Sequence, residues 1–422
     1  MLSAIDIDIR IRNGTVHTPH GAVRADILVC GERIAGVIDP GQLAMAKEEI
    51  DAGGLQVVPG LIDLHAHTRT PGYEYKEDFF TASCAAAVGG ITSFVDMPNV
   101  EPPTDSVELL EEKRRIAEQD CVIDWGHFVA PNDTEQVPAL AAAGATGFKI
   151  FQVSGGYPHD PRLAMGEADR IFAAFQAIAG TGLHCSVHPF NQPLVELLTR
   201  QSLAQGMPAD INTFASLYTR DVIWRSAVAV LVELQKETGV RLHLLHTHAA
   251  GSLELIRRAK SAGQAVSAAI DLKYFHLTGD HFEKDGPRAA PGGFIVEDEA
   301  RMSSIWSALN DGTLDVIDSD HAPHTLEDLE VFRKDPWHGP WGSPQLEYQL
   351  SVMLTDVDRG LLSLETAIRL LSENSARLIG IYPRKGAIDV GSDADLVLVD
   401  LEREVIPTDE ATYSGRPTAV GG

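Results

Sequence analysis

Short apolar strands alternate with stretches of helical periodicity eight times along the middle of this chain, and that rhythm limits the folds open to it more than any single motif. The strands read as Val58 to His67, Ile91 to Met97, Val122 to Val129, Thr146 to Gln152, Leu183 to His188, Arg241 to His246, Ala265 to Leu272 and Leu314 to Asp320. Helical segments fall between them, among them Ser106 to Gln119, Gly166 to Ala179, Val222 to Thr238, Gly251 to Ala262 and Glu297 to Asn310. Alternation of this kind implies parallel β/α units. Eight such units in about 320 residues predict a (β/α)8 barrel with its site at the C-terminal ends of the strands.

The chain ends have a different period. Ile5 to Ile11, Ala25 to Val29 and Arg33 to Val37 alternate apolar with polar residues and are broken by Asn13-Gly14, Gly21 and Cys30-Gly31-Glu32, which are hairpin signals. A matching segment, Asp393 to Asp400, returns near the other end. The expectation is one small β-sandwich built from both chain ends. The chain then divides into residues 1–58 and 384–422 for the sandwich and 59–383 for the barrel.

Composition narrows the partners. With 34 basic and 60 acidic residues the formal charge is −26, which argues against nucleic acid or an anionic membrane surface. The partner expected is a small molecule, and an anionic one has to be drawn in by local cations. Four scattered cysteines, Cys30, Cys84, Cys121 and Cys185, show no metal or CxxC spacing and point to a reducing, cytoplasmic setting. The alternating start of the chain reads as a strand, not a leader peptide, and no apolar run is long enough to span a bilayer.

The strand ends carry the chemistry. Strand one runs Val57-Val58-Pro59-Gly60-Leu61-Ile62-Asp63-Leu64-His65-Ala66-His67. Residues two apart on a strand share a face, so His65 and His67 can hold one cation between them. Lys149 lies on strand four, His188 ends strand five, His246 ends strand six, and strand eight ends in Asp318-Ser319-Asp320. Singly, each has an ordinary explanation as a core histidine, a rim lysine or a turn-capping aspartate. Together they put four histidines, a lysine and a carboxylate at one end of one barrel.

These residues resemble the cyclic amidohydrolases of the amidohydrolase superfamily, and among them dihydroorotase. The resemblance runs from about residue 8 to 400 and rests on Pro59-Gly60-Leu61-Ile62-Asp63-Leu64-His65-Ala66-His67-Thr68-Arg69, Pro71-Gly72, Lys76-Glu77-Asp78, Asp96-Met97-Pro98-Asn99, Pro102-Pro103-Thr104, Lys149, Asp320-His321-Ala322-Pro323-His324 and Gly391 to Val397. It implies two divalent metal ions, with zinc favoured by the histidine-rich ligand set. His65, His67 and Asp320 would bind one ion and His188 and His246 the other, with Lys149 bridging both as its carbamate (N6-carboxylysine). It further implies ring opening of a cyclic amide by a metal-bridging hydroxide, with Asp320 as proton shuttle, His324 as a catalytic or substrate-orienting group, and a homodimer or homotetramer. Asp318, on the same strand face as Asp320, is the alternative carboxylate.

For the substrate, the resemblance gives Arg69 the role of gripping a carboxylate and Asn99 that of assisting it. The competing expectation pairs Arg69 with Glu74, Glu77 and Asp78. Several stretches depart from dihydroorotase. Asp285 to Gly293 keeps a proline and the candidate substrate ligand Arg288 but lacks the family's asparagine, His188-Pro189-Phe190-Asn191 replaces an acidic sequence, His248 replaces a serine, and Ser154-Gly155-Gly156-Tyr157 is nearer to allantoinases. Allantoinase or hydantoinase chemistry on another cyclic ureide, amide or imide is therefore the alternative. Aromatics in the long connections, Tyr274, Phe275, Phe282, Trp337 and Trp341, could close over a ring or pack the loops down. A metal-free scaffold relative would lack these ligands, and a one-metal deaminase would need no bridging lysine.

Overall fold

At Gly60 the chain passes from one sheet into another. Its amide donates to Asp395 O at 2.8 Å, while the next amide, of Leu61, already donates to Gly90 O at 3.0 Å. A side chain at residue 60 would drive a Cβ to 2.1 Å from Thr92 Oγ1, so only glycine lets the two sheets meet here. This explains why the first barrel strand, expected from Val58, begins at Leu61. In the computed structural model, residues 7–155, 160–277, 299–406, 408 and 412–416 are described.

Before Gly60 come β1 (Ile7–Thr18), β2 (Gly21–Cys30), β3 (Arg33–Ile38), β4 (Ala46–Asp51) and β5 (Gln56–Pro59). The barrel strands are β6 (Leu61–Ala66), β7 (Ile91–Asp96), β8 (Asp124–Val129), β9 (Gly147–Phe151), β10 (His184–His188), β11 (Arg241–Leu244), β12 (Val266–Asp271) and β13 (Val316–Asp318). The last strand, β14 (Leu396–Val399), pairs antiparallel with β5, so both chain ends share one six-stranded sheet. Within that sheet β1 pairs antiparallel with β2 and parallel with β4 and β5, over an apolar core that includes Ile11, Val16, Ile27, Val29, Val57 and Ile388. The Asn13-Gly14 signal does not end β1. It makes a bulge in it, with Asn13 at φ 63° and its amide held by Asp26 Oδ1 at 2.9 Å.

The eight barrel strands run parallel in chain order from β6 to β13. Their outward residues, such as Phe94, Phe148, Ile150 and Val187, pack on surrounding helices including Val107–Asp120, Ala168–Ala179 and Asp221–Thr238. Ile62, Leu64, Val95, Phe128, Leu245, Ala269 and Val316 form a second, inner cluster. Burying each large aliphatic or aromatic side chain contributes roughly 1.5–3 kcal/mol.

Closure between β6 and β13 is short. His67 N donates to His321 O at 2.8 Å and His321 N to His65 O at 3.2 Å. Buried Asp63 reinforces it, since its Oδ1 accepts the His65 amide at 3.0 Å and its Oδ2 the Ser319 amide at 2.7 Å. The sheet is latched to the barrel by Lys385, whose Nζ pairs with Asp124 at the start of β8 and with Asp395 at 2.5 Å and Asp393 at 3.1 Å. Those three acids lie close enough together to suggest a cation site, but the lysine supplies their positive charge.

Replacing Asp63 by Ala would leave two buried amides without an acceptor, a loss of about 1–3 kcal/mol for each. Asp63→Ala is expected to lower the urea midpoint, as read by far-UV circular dichroism.

Candidate metal centre

Strand alternation alone would not put the histidines where they are. Between Asp63 and Ala66 β6 carries one residue more than its partner β7, a bulge that turns His65 and His67 toward the site while Ala66 packs outward. Leu242 and Leu244 on β11 face the helices and Leu245, just after it, faces inward, so regular alternation would send His246 outward. A left-handed backbone at His246, φ 54°, turns it in instead. Arg69 at φ 68° and Asp320 at φ 44° are also left-handed. Non-glycine residues in this region cost about 1–3 kcal/mol each, and such strain concentrates at functional sites.

These turns bring the histidines together. Ring centroids lie 5.3 Å apart for His65 and His67, 5.0 Å for His65 and His246, and 4.5 Å for His188 and His246. Asp320 Oδ1 is 3.2 Å from His65 Nε2 and 3.5 Å from His67 Nε2. One ligand atom each from His65, His246 and Asp320 falls within a 4.8 Å cluster. Lys149, fully buried on β9, has no hydrogen-bond partner for its Nζ among the described residues, and both ring nitrogens of His65 also lack one. Buried polar atoms left unmatched in this way are expected where a bound group completes the site.

Electrostatics point the same way. Burial first, then the nearby Lys149 charge, holds His65 well below the usual histidine range. Burial pushes His67 down to about 4, and burial with the neighbouring His246 lowers His188 strongly. These rings are therefore neutral at pH 7, the form that ligates a cation. Burial would raise Asp320, but Lys273, with His65 and His67, outweighs it and keeps the carboxylate ionised. Burial brings the Lys149 amine down to about 7.

Behind these groups stands a layer of hydrogen-bond partners that residue spacing does not reveal. His67 Nδ1–H donates to Asn99 Oδ1 at 2.7 Å and His246 Nδ1–H to Asp271 Oδ2 at 3.0 Å, so each ring turns its Nε2 lone pair inward. Asn99, expected to assist substrate binding, thus holds His67 through its oxygen, while its buried Nδ2 makes no hydrogen bond among the described residues. Lys273 Nζ lies 3.1 Å from Asp320 Oδ2 and 3.6 Å from Asp271 Oδ1. The available signal was an acid and a lysine two residues apart, closing the otherwise apolar seventh barrel strand.

Arg69 and His324 occupy the adjoining loop. Arg69 Nε donates to Pro323 O at 3.1 Å, and its Nη2 lies 3.1 Å from His324 Nε2. On the other edge of the ring, Lys76 Nζ is 3.1 Å from His324 Nδ1, and Nε2 also lies 2.9 Å from Trp341 O. Burial and then Arg69 bring His324 down to about 3. The acids expected to compete for Arg69 have other bonds. Glu74 accepts the Gly72 amide, Glu77 pairs with His321 and Ser414, and Asp78 caps the helix Phe79–Val88. His321 is committed to that pair and, through Nδ1, to the Gln345 amide at 3.0 Å. Of the loop aromatics, Tyr274 is buried and stacks on His248 at 4.4 Å, whereas Trp337 and Trp341 pack around Phe214. Arg288, Phe282, Gly156 and Tyr157 lie outside the described residues.

Comparison with known proteins agrees with this arrangement. Residues 54–159 match the dihydro-orotase-like family model and residues 232–420 the amidohydrolase family model. The L-hydantoinase of Paenarthrobacter aurescens is 34% identical over 404 residues, covering 94% of this chain and 86% of that protein. The chain is a cyclic amidohydrolase of the amidohydrolase family. An allantoinase of Streptomyces avermitilis is 32% identical across 99% of this chain and 92% of its own length. The solved L-hydantoinase (dihydropyrimidinase) from Arthrobacter aurescens superposes on this cyclic amidohydrolase with a TM-score of 0.93 at 31% identity, over 99% of this chain and 92% of that one.

Histidines held neutral in the fold make the metal-free protein acid-sensitive. Their folded pKa values, about 4 for His67 and about 3 for His184 and His324, lie below the value of about 6.5 for an unfolded chain. Between those limits the unfolded state binds more protons, so stability is lost as pH falls. Urea midpoints of the metal-free protein should therefore drop between about pH 6.5 and about pH 4.

Proposed function

We propose that this cyclic amidohydrolase opens its substrate ring by metal-dependent hydrolysis of one C–N bond at the site formed by His65, His67, Lys149, His188, His246 and Asp320. The observation that carries this reading is the convergence of buried ligand atoms of His65, His246 and Asp320, beside which both His65 nitrogens and Lys149 Nζ lack hydrogen bonds among the described residues. His65, His67 and Asp320 would hold one divalent cation and His188 and His246 a second, with zinc the best fit to this donor set. Lys149 would join the two as its carbamate. An amine brought down to about 7 is partly unprotonated at neutral pH, the form that adds carbon dioxide.

Two divalent cations, when bound, supply a water acidic enough to react near neutral pH and a centre that polarises the amide carbonyl. The side chains do the rest. Asp320 Oδ1, facing His65 and His67, accepts the proton of the attacking water and then gives it to the departing ring nitrogen, acting as base and then as acid. Lys273 holds the other oxygen of Asp320 in place. Asn99 and Asp271 hold His67 and His246 with Nε2 turned inward, the orientation in which they would bind the cations.

Arg69 decides between two substrate readings. A planar guanidinium suits a carboxylate-bearing ring of the dihydroorotate kind, assisted by Asn99 Nδ2 and by Arg288. The bonds that Arg69 makes to Pro323 and His324, and the long matches to a hydantoinase and an allantoinase, support a neutral cyclic ureide. In either case His324 orients Arg69. The reading also includes a cytoplasmic homodimer or homotetramer. All four cysteines are free thiols, and among the described residues no helix is long and apolar enough to cross a membrane.

The test is hydrolysis of dihydroorotate, allantoin, hydantoins and dihydrouracil by the zinc- and bicarbonate-supplied protein. Turnover of any of them supports the ring-opening reading, and turnover of neutral rings without dihydroorotate removes the carboxylate role of Arg69. Lys149→Ala should abolish activity and lower metal content. Asp320→Asn should cut kcat by about 10²–10⁴-fold while the protein stays folded.

A further inference from the structure

A histidine that offers one ring nitrogen to a cation needs the other held as a donor, or the ring can turn or change tautomer. Two of the site histidines meet that need, His67 through Asn99 and His246 through Asp271. His65 does not. Its ring is fully buried, its Nδ1 makes no hydrogen bond among the described residues, and the carboxylate facing that nitrogen is Asp318, with Oδ2 at 3.8 Å. Asp318 is buried as well, and neither of its oxygens has a hydrogen-bond partner among the described residues. Two facing polar groups, both shut away from water and both unmatched, are a costly arrangement that a shift of less than about 1 Å would turn into a hydrogen bond.

Resting on the reading of this site as a metal centre, we infer that Asp318 is the positioning residue of His65, its Oδ2 accepting the Nδ1–H so that Nε2 stays turned toward Asp320. The two carboxylates, two residues apart on one strand, then have different tasks because they meet opposite edges of one imidazole. Asp320 Oδ1 lies 3.2 Å from His65 Nε2 and 3.5 Å from His67 Nε2, on the inner side. Asp318 Oδ2 faces the other edge of the ring, 3.8 Å from His65 Nδ1. The left-handed turn at Asp320 separates two side chains that an unbroken strand would leave pointing the same way. His65, His67 and His246 then follow one rule, with Nδ1 given to an oxygen of the protein and Nε2 directed inward.

The test compares wild type, Asp318→Asn and Asp318→Leu by zinc affinity, from competition with a chelator, and by the nitrogen shifts of the His65 ring in ¹⁵N NMR of the zinc-loaded protein. Leu cannot accept the proton, so affinity at one zinc should fall about 10–100-fold. Asn still offers a carbonyl oxygen and should restore affinity to near the wild-type value. In wild type His65 should carry its proton on Nδ1. A Leu variant that binds zinc as tightly as wild type, or a wild-type His65 protonated on Nε2, overturns the inference while leaving the metal centre standing. A Leu variant that loses zinc but keeps the His65 tautomer also overturns it, and would assign Asp318 to the Lys149 side of the site. Wild type that retains no zinc overturns the metal-centre reading and this inference with it. Should the Leu variant not fold, the wild-type tautomer and the Asn affinity decide.

Discussion

One buried carboxylate ties the beginning of the barrel to its end. Asp63 accepts the amide of His65 with one oxygen and that of Ser319 with the other, joining segments 256 residues apart. Because His65 and His67 follow directly on one side and Asp320 on the other, this clamp fixes the relative placement of groups no local structure could bring together. Burial pushes the Asp63 carboxyl upward, and the two backbone amides counter that. The desolvation of one acid is offset by satisfying two amides that barrel closure would otherwise strand.

The same pattern recurs outward. Asp96 accepts the Thr68 amide at 2.8 Å and pairs with buried Lys113, which also donates to Met97 O at 2.7 Å. Glu77 fixes His321, and Asp78 caps a helix. Several charged residues within the quoted motifs are thus fastenings of the loops around the site. These charges are paired within the protein, whereas among the described residues His65 and Lys149 keep ring and amine nitrogens without a hydrogen-bond partner. That contrast separates the residues that hold the site from those directed at what it binds.

The barrel was legible because its strands are short apolar runs between helices, and the expected and observed strands agree to within a few residues at most ends. Boundaries moved where a backbone constraint outweighed hydrophobicity. Val58 and Pro59 are apolar, as a barrel strand requires, yet they pair with β14 because Gly60 is the crossing point. Asn13-Gly14 carries a turn signal, but flanking strand pairing absorbs it as a bulge. The strand Ala46–Asp51 was not anticipated, because its exposed, charged face leaves little apolar alternation to read.

By itself the sequence determined the repeating units, the strand ends that bear His65, His67, Lys149, His188, His246 and Asp320, and the family to which the chain belongs. Those follow from residue type and spacing, which are local properties. Tertiary structure alone decided which way His246 and Asp320 turn, since their left-handed backbones run against strand alternation. It alone gave Asn99, Asp271, Lys273 and Asp318 their neighbours and committed Arg69 to Pro323 and His324. Such contacts join residues far apart in the chain, and barrel closure in low-dielectric surroundings sets both the partner of each polar atom and the cost of leaving one without.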